Sequence, residues 1–188
     1  MKNEAVRKTV KEFVQYALLA LVIVVPVRMF VAQPFIVDGT SMDSTFQNGQ
    51  YLIVDELSYR FSDIQRGDVV VFKYPLMPSK DFIKRIIGLP GETISINGNT
   101  TTITKTDGTT FVLPEPYTHS PTLQEGLKTT LGSDEYYVMG DNRTVSFDSR
   151  GWGPVKRNLI IGTPVARLFP LSVVGIHPGS LESFAAKK

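Results

Sequence analysis

The chain reads as a mainly β domain, a barrel or folded sheet, attached to one N-terminal transmembrane helix. Three observations predict this. Residues 13–32 form one long apolar run, short β-rich runs separated by turn signals follow from residue 35 onward, and hardly any helical period recurs after the anchor. The 188 residues allow one domain of ordinary size plus an appendage, and 42% hydrophobic residues suffice for a core. A net charge of +2, with no basic stripe beyond the N-terminus, argues against nucleic acid as a partner. There are no cysteines, which excludes thiol catalysis, cysteine-based zinc sites and disulfides. His119 and His177 lie far apart, without a partner at metal-ligand spacing, so neither a metal nor another cofactor is expected.

The anchor comes first. Phe13 to Val27 reads FVQYALLALVIVVPV, and Met29 to Ala32 brings the run to about the twenty residues that cross a bilayer. Arg28 falls near the outer end, where a long cationic side chain reaches the headgroups. Lys2, Arg7, Lys8 and Lys11, against Glu4 and Glu12, keep residues 1–12 in the cytoplasm and put the rest outside. A removable signal peptide is the competing reading. The run is long for one, and cleavage after Ala32 would place bulky Phe30 where a small residue is wanted. The expectation is a single-pass cell-membrane protein in contact with lipid. An extracellular domain covers residues 33–175, and a tail over 176–188 frays from Ser180.

In the body, strand-like runs fall at 35–37, 51–54, 69–72, 82–87, 93–96, 101–104, 110–113, 136–139 and 165–169. Asn97-Gly98 and Asp107-Gly108 between such runs predict two hairpins over residues 92–113. Residues 114–133 hold Pro114, Pro116 and Pro121 in a Ser/Thr/Gly-rich setting and read as a long surface loop or insertion.

Three stretches carry side chains suited to chemistry. Ser41 sits in Asp38-Gly39-Thr40-Ser41-Met42-Asp43, a turn-forming context in which most serines only bond their own backbone. Lys84 lies among Phe82, Ile83, Ile86 and Ile87. On an edge strand it would simply point to water. If buried, its charged form is disfavoured and the neutral amine becomes a general base. A serine with a neutral lysine is a working nucleophile–base pair that requires no histidine. The third stretch, Gly140 to Gly153, is dense in polar side chains. Asp141, Arg143, Asp148 and Arg150 read as staples of a turn, and Ser146 offers a hydroxyl that could direct a buried amine.

In this order, these stretches resemble the type I signal peptidases of bacteria. Gly39-x-Ser41-Met42-x-x-Thr45 is similar to the family's serine box, and Gly67-Asp68-Val69-Val70 to its next box. Phe82-Ile83-Lys84-Arg85-Ile86-Ile87-Gly88-x-Pro90-Gly91 is similar to the lysine box. Gly140-Asp141-Asn142-Arg143-x-x-Ser146-x-Asp148-Ser149-Arg150 is similar to the last. The resemblance spans residue 13 to about residue 170, and the short length and single anchor resemble the Gram-positive members.

The resemblance implies a membrane-bound serine endopeptidase that removes signal peptides from exported preproteins after Ala-x-Ala. It makes Ser41 the nucleophile and Lys84 the base, with Ser146 orienting the amine. Asp148 and Arg150, with Asp141 and Arg143, would buttress the loop. The Ser41 backbone N–H would hold the oxyanion. Gly39 stands where some relatives carry a second, hydroxyl donor, so its backbone or water would have to serve. Substrate would add as a strand between Phe35–Asp38 and Asp81–Ile83, a stretch that includes Phe82. Val37, Met42, Phe46 and Ile83 would shape pockets for small side chains. The sequence departs from the pattern at Ser44, where the family usually has proline. That departure motivates the alternative of a non-catalytic relative that only holds extended peptides, and retention of Ser41 and Lys84 argues for the enzyme. An autocleaving regulator is remote, since no DNA-binding helix pair precedes the β domain.

Overall fold

In the computed structural model, which describes residues 10–22, 32–122 and 124–181, the chain forms two antiparallel sheets. The larger contains β1 (Ala32–Ile36), β2 (Tyr51–Asp55), β3 (Val69–Lys73) and β4 (Asp81–Gly88). The smaller is built from β5 (Thr93–Gly98), β6 (Thr100–Thr104), β7 (Thr110–Val112) and β8 (Gln124–Thr130). The chain then returns to the larger sheet as β9 (Glu135–Met139), β10 (Val155–Lys156), β11 (Ile160–Phe169) and β12 (Gly175–Ile176). The larger sheet runs β1-β2-β11-β3-β4-β9-β10 with β12 beside β11, and the smaller runs β7-β6-β5-β8. The mainly β expectation is met.

Alternation explains the smaller sheet. Ile94 and Ile96 of β5 and Ile103 of β6 point one way into a core with Tyr117, Leu131, Tyr137 and Met139, while Thr93, Ser95, Thr102 and Thr104 take the other face. Gly98 (φ 56°) and Gly108 (φ 84°) supply the left-handed backbone at the two hairpin turns. In the larger sheet, β3 and β4 instead read as near-continuous apolar runs because both faces are covered. Ile86 faces a core with Val70, Phe72 and Val138, while its neighbour Ile87 faces the core of the smaller sheet. A third cluster, of Val37, Met42, Phe46, Leu52 and Val69, sits beneath residues 37–46. Pro164, unexpected inside a long strand, falls at a shift in the β11–β2 register.

Two expectations need restating. Part of 114–133 is a strand, since Gln124–Thr130 pairs with β5 from Thr93↔Thr130 to Gly98↔Gln124. The three prolines lie before it, and with Leu127 its only large apolar side chain the strand shows no alternation to read. Of the expected anchor over 13–32, residues 13–22 lie in a helix, α1, described from residue 10; residues 23–31 lie outside the described residues, and Ala32 opens β1. Among the described residues no helix is long and apolar enough to cross a membrane. Two short helices complete the picture, α2 (Leu57–Phe61) and α3 (Ser149–Trp152).

Candidate active site

Ser41 is presented by a tight turn. Asp43 N–H donates to the Thr40 carbonyl (3.2 Å), and Thr45 and Phe46 N–H both donate to the Met42 carbonyl (2.9 and 2.8 Å). Met42 and Phe46 are 1% and 0% exposed and pack into the cluster below, so the turn is pinned from beneath. This corrects their expected role: they do not line the cleft but support the serine from the core side. Gly39, on the same turn, donates its N–H to Asn48 Oδ1 (2.8 Å). Its backbone is therefore committed and is not a ready second oxyanion donor.

Lys84 arrives from β4. Its Nζ lies 2.7 Å from Ser41 Oγ and donates to the Ile83 carbonyl (2.9 Å). It also lies 5.4 Å from the centre of the Phe82 ring. The side chain is 4% exposed, which rules out the edge strand facing water. Burial pulls its pKa down from 10.5 to about 8, while Asp148 and Asp141 pull in the other direction. At pH 7 about one such lysine in ten is neutral, against roughly one in three thousand at the ordinary value.

The loop after β9 closes over this pair. Asn142 N–H donates to the Ser41 carbonyl (3.0 Å), and Asn142 Nδ2 donates to the Thr40 carbonyl (3.2 Å). Arg85, next to the lysine, is fully buried against Asp141, whose Oδ2 also accepts from Thr45 Oγ1 (2.6 Å). Asp148 accepts from Gly140 N–H (3.0 Å) and from Arg150 Nε (2.8 Å), and Arg150 Nη2 donates to the Arg143 carbonyl (2.7 Å). Asp141, Arg143, Asp148 and Arg150 thus lie in one buttress. Ser146 is brought to the site but not to the lysine. Its buried Oγ has no hydrogen-bond partner and sits against Gly140. The expected Ser146–Lys84 bond is not made, and the amine's second partner is instead the Ile83 carbonyl.

A cleft of about 560 Å³ opens onto the pair. Of the expected substrate residues, Phe35, Val37, Asp38, Phe82 and Ile83 line it, together with Gly39. Among the described residues, the backbone edges of its two walls pair with no further strand. β1 ends the sheet, and β9 pairs with β4 only from Arg85↔Met139 onward, so Asp81 to Lys84 bond β3 alone. Sequence reasoning missed Val71, Leu52, Val145 and Phe147, which also line the cleft. It also missed Glu115 and Tyr117. Glu115 pairs with Arg143, and the Tyr117 ring carries the Arg85 guanidinium 4.2 Å from its centre. An arginine beside the lysine in an apolar run was a usable signal for a buried counter-charge. Nothing local marks Glu115, which comes from a distant loop. Among the described residues no His, Asp and Glu set is arranged to hold a metal ion.

A mainly β body that sets a buried amine against a serine hydroxyl in an open cleft has the character of a hydrolase. The family described as signal peptidase, peptidase S26, matches residues 10–169. Signal peptidase I of Leptolyngbya laminosa is 36% identical over 165 residues, covering 84% of this chain and 78% of that protein. Signal peptidase I V of Bacillus subtilis is 36% identical over 158 residues, covering 77% and 90%. The crystal structure of a signal peptidase I from Enterococcus faecalis V583 aligns with a TM-score of 0.43 at 28% identity, over 54% of this chain and 97% of that one. The chain belongs to the signal peptidase family, peptidase S26, and is a hydrolase of that class.

Proposed function

We propose that this protein is a membrane-bound serine endopeptidase that removes signal peptides from exported preproteins after small residues of the Ala-x-Ala type. Ser41 is the nucleophile and Lys84 the general base. The observation that carries the reading is the 2.7 Å contact between Ser41 Oγ and a lysine amine buried to 4% exposure. A neutral Lys84 takes the Ser41 proton as Oγ attacks the scissile carbonyl carbon, forming a tetrahedral intermediate whose oxyanion faces the Ser41 N–H. As that intermediate collapses, the C–N bond breaks and the Lys84 ammonium gives its proton to the leaving amine. Water, deprotonated by the same amine, then hydrolyses the ester. Asp148 and Arg150 keep the loop over the pair. Ser146, whose buried hydroxyl has no hydrogen-bond partner beside Gly140, is the proposed orienter of the amine once substrate has tightened the site.

The free edges of β1 and of Asp81 to Lys84 in β4 suit an extended substrate strand held by backbone hydrogen bonds. Ile83 and Val37 restrict the pockets beside it. Residues 13–32 are the proposed anchor, with the N-terminus in the cytoplasm and the β domain on the outer face. A lysine so close to the serine, with a lowered pKa, favours turnover over mere peptide holding despite Ser44. The test is cleavage of an Ala-x-Ala preprotein by the detergent-solubilised full chain. The parent should process it, and Ser41→Ala and Lys84→Ala should each lose at least about a thousandfold in rate. Unchanged cleavage by either variant refutes the assignment of the pair.

A further inference from the structure

We propose that Phe147, backed by Tyr74 and Phe82 and flanked by Val145, is the subsite for the middle side chain of the Ala-x-Ala segment, and that it selects apolar over small polar or acidic residues there. The proposal rests on the strand-addition reading given above. Along β4 successive side chains alternate between faces, and the 5.4 Å separation of Lys84 Nζ from the Phe82 ring puts those two on the same face. Ile83 is on the other. A substrate strand on the free edge of Asp81 to Lys84 alternates in step with β4. If the two small side chains enter pockets on the Ile83 face, the residue between them points to the face of Phe82 and Lys84.

That face is an aromatic wall. The Tyr74 and Phe82 rings stack at 4.7 Å and 16°, and Phe147 meets Tyr74 edge-on at 6.0 Å and 66°. Phe147 is placed by what lies beneath it. Gly151 of α3 has no side chain, and a Cβ there would come 3.1 Å from the Phe147 ring. The ring therefore seats on the helix backbone and projects into the cleft. Val145 and Phe147 flank Ser146, are 58% and 56% exposed, and both line the cleft. Two large apolar side chains left exposed on the loop that covers the nucleophile are poorly explained by packing, because neither belongs to a core cluster. They suit the side chain of an extended peptide, whose burial against an aromatic edge is favourable. A carboxylate at the same position would approach Lys84 and favour its charged form, which is the wrong one for a base.

The experiment uses the full chain in detergent and a set of preproteins differing only at the middle residue, with Leu, Phe, Ser or Asp. The parent should cleave the Leu and Phe substrates about five- to tenfold faster in kcat/KM than the Ser substrate, with Asp slowest. Phe147→Ser should bring Leu and Phe to within about twofold of Ser, the readout being the ratio between substrates and not the absolute rate. Phe147→Leu should keep the preference, which separates lost apolar contact from a misfolded loop. An unaltered profile in Phe147→Ser, or an equal loss on all four substrates, overturns the proposal. Loss of the catalytic reading itself would appear separately, as undiminished cleavage by Ser41→Ala.

Discussion

Arg85 and Asp141 meet through two charge-assisted hydrogen bonds, Nε to Oδ1 at 2.8 Å and Nη2 to Oδ2 at 2.6 Å, with both side chains fully buried. The pair joins the residue after the lysine to the residue after Gly140, so it fixes the strand that carries Lys84 against the loop that covers Ser41. Arg85 Nη1 adds bonds to the Gly67 and Gly179 carbonyls (2.7 and 2.8 Å). Removing one partner of such a pair costs more than the pair contributes, because a desolvated charge is left behind.

Asp141→Asn is therefore expected to destabilise the fold by about 3–5 kcal/mol. The melting midpoint should fall by roughly 10 °C, measured in the same detergent as the parent. A shift within the error of the melt would mean that the guanidinium finds adequate compensation from carbonyls alone.

Gly140 is a point where no side chain fits. A methyl there would collide with Ser146 Oγ and with the Ser41 carbonyl oxygen. Gly140→Ala should displace the Ser41 turn from the loop and, on the proposed mechanism, lower kcat/KM by about 100-fold, since small misplacements of reacting groups carry penalties of that order. Its melting midpoint should move less than that of Asp141→Asn, because no buried charge is exposed. Parent-like cleavage by Gly140→Ala would show that the loop does not set the position of Ser41.

The lowered lysine pKa gives a pH profile with a definite sign. In the proposed mechanism the neutral amine is the working form, so kcat/KM should rise about tenfold per pH unit below about 8 and level off above it. The same burial that lowers the pKa produces this rise, and the nearby Asp148 and Asp141 keep the midpoint from falling further. A rate that increases as pH drops from 7 to 5 would contradict a lysine base.

Much of the fold was legible because alternation survives where only one face of a strand is buried. Ile94 and Ile96 alternating with Thr93, Ser95 and Asn97, and Asp107-Gly108 at a turn, announced the small sheet. The strand Gln124–Thr130 was not legible: with Leu127 its only large apolar side chain, its place is decided by pairing with β5 rather than by its own pattern. At the site, residue types and order pointed to Ser41 and Lys84. Glu115, Val145 and Phe147 escaped because their proximity to the pair arises from folding and not from spacing. Met42 and Phe46 were expected in the cleft from the resemblance, which does not reveal which side of a turn faces the core.

What the sequence by itself determined was the chemistry available: a hydroxyl and an amine, neither cysteines nor paired histidines, and an alternating apolar pattern that commits the body to sheets. Only the tertiary structure decided that the amine is dry and 2.7 Å from the hydroxyl, because desolvation depends on which neighbours from β3, the Ser41 turn and the covering loop come to surround it. A lysine's pKa is a property of that enclosure, and no string of residues around position 84 contains it.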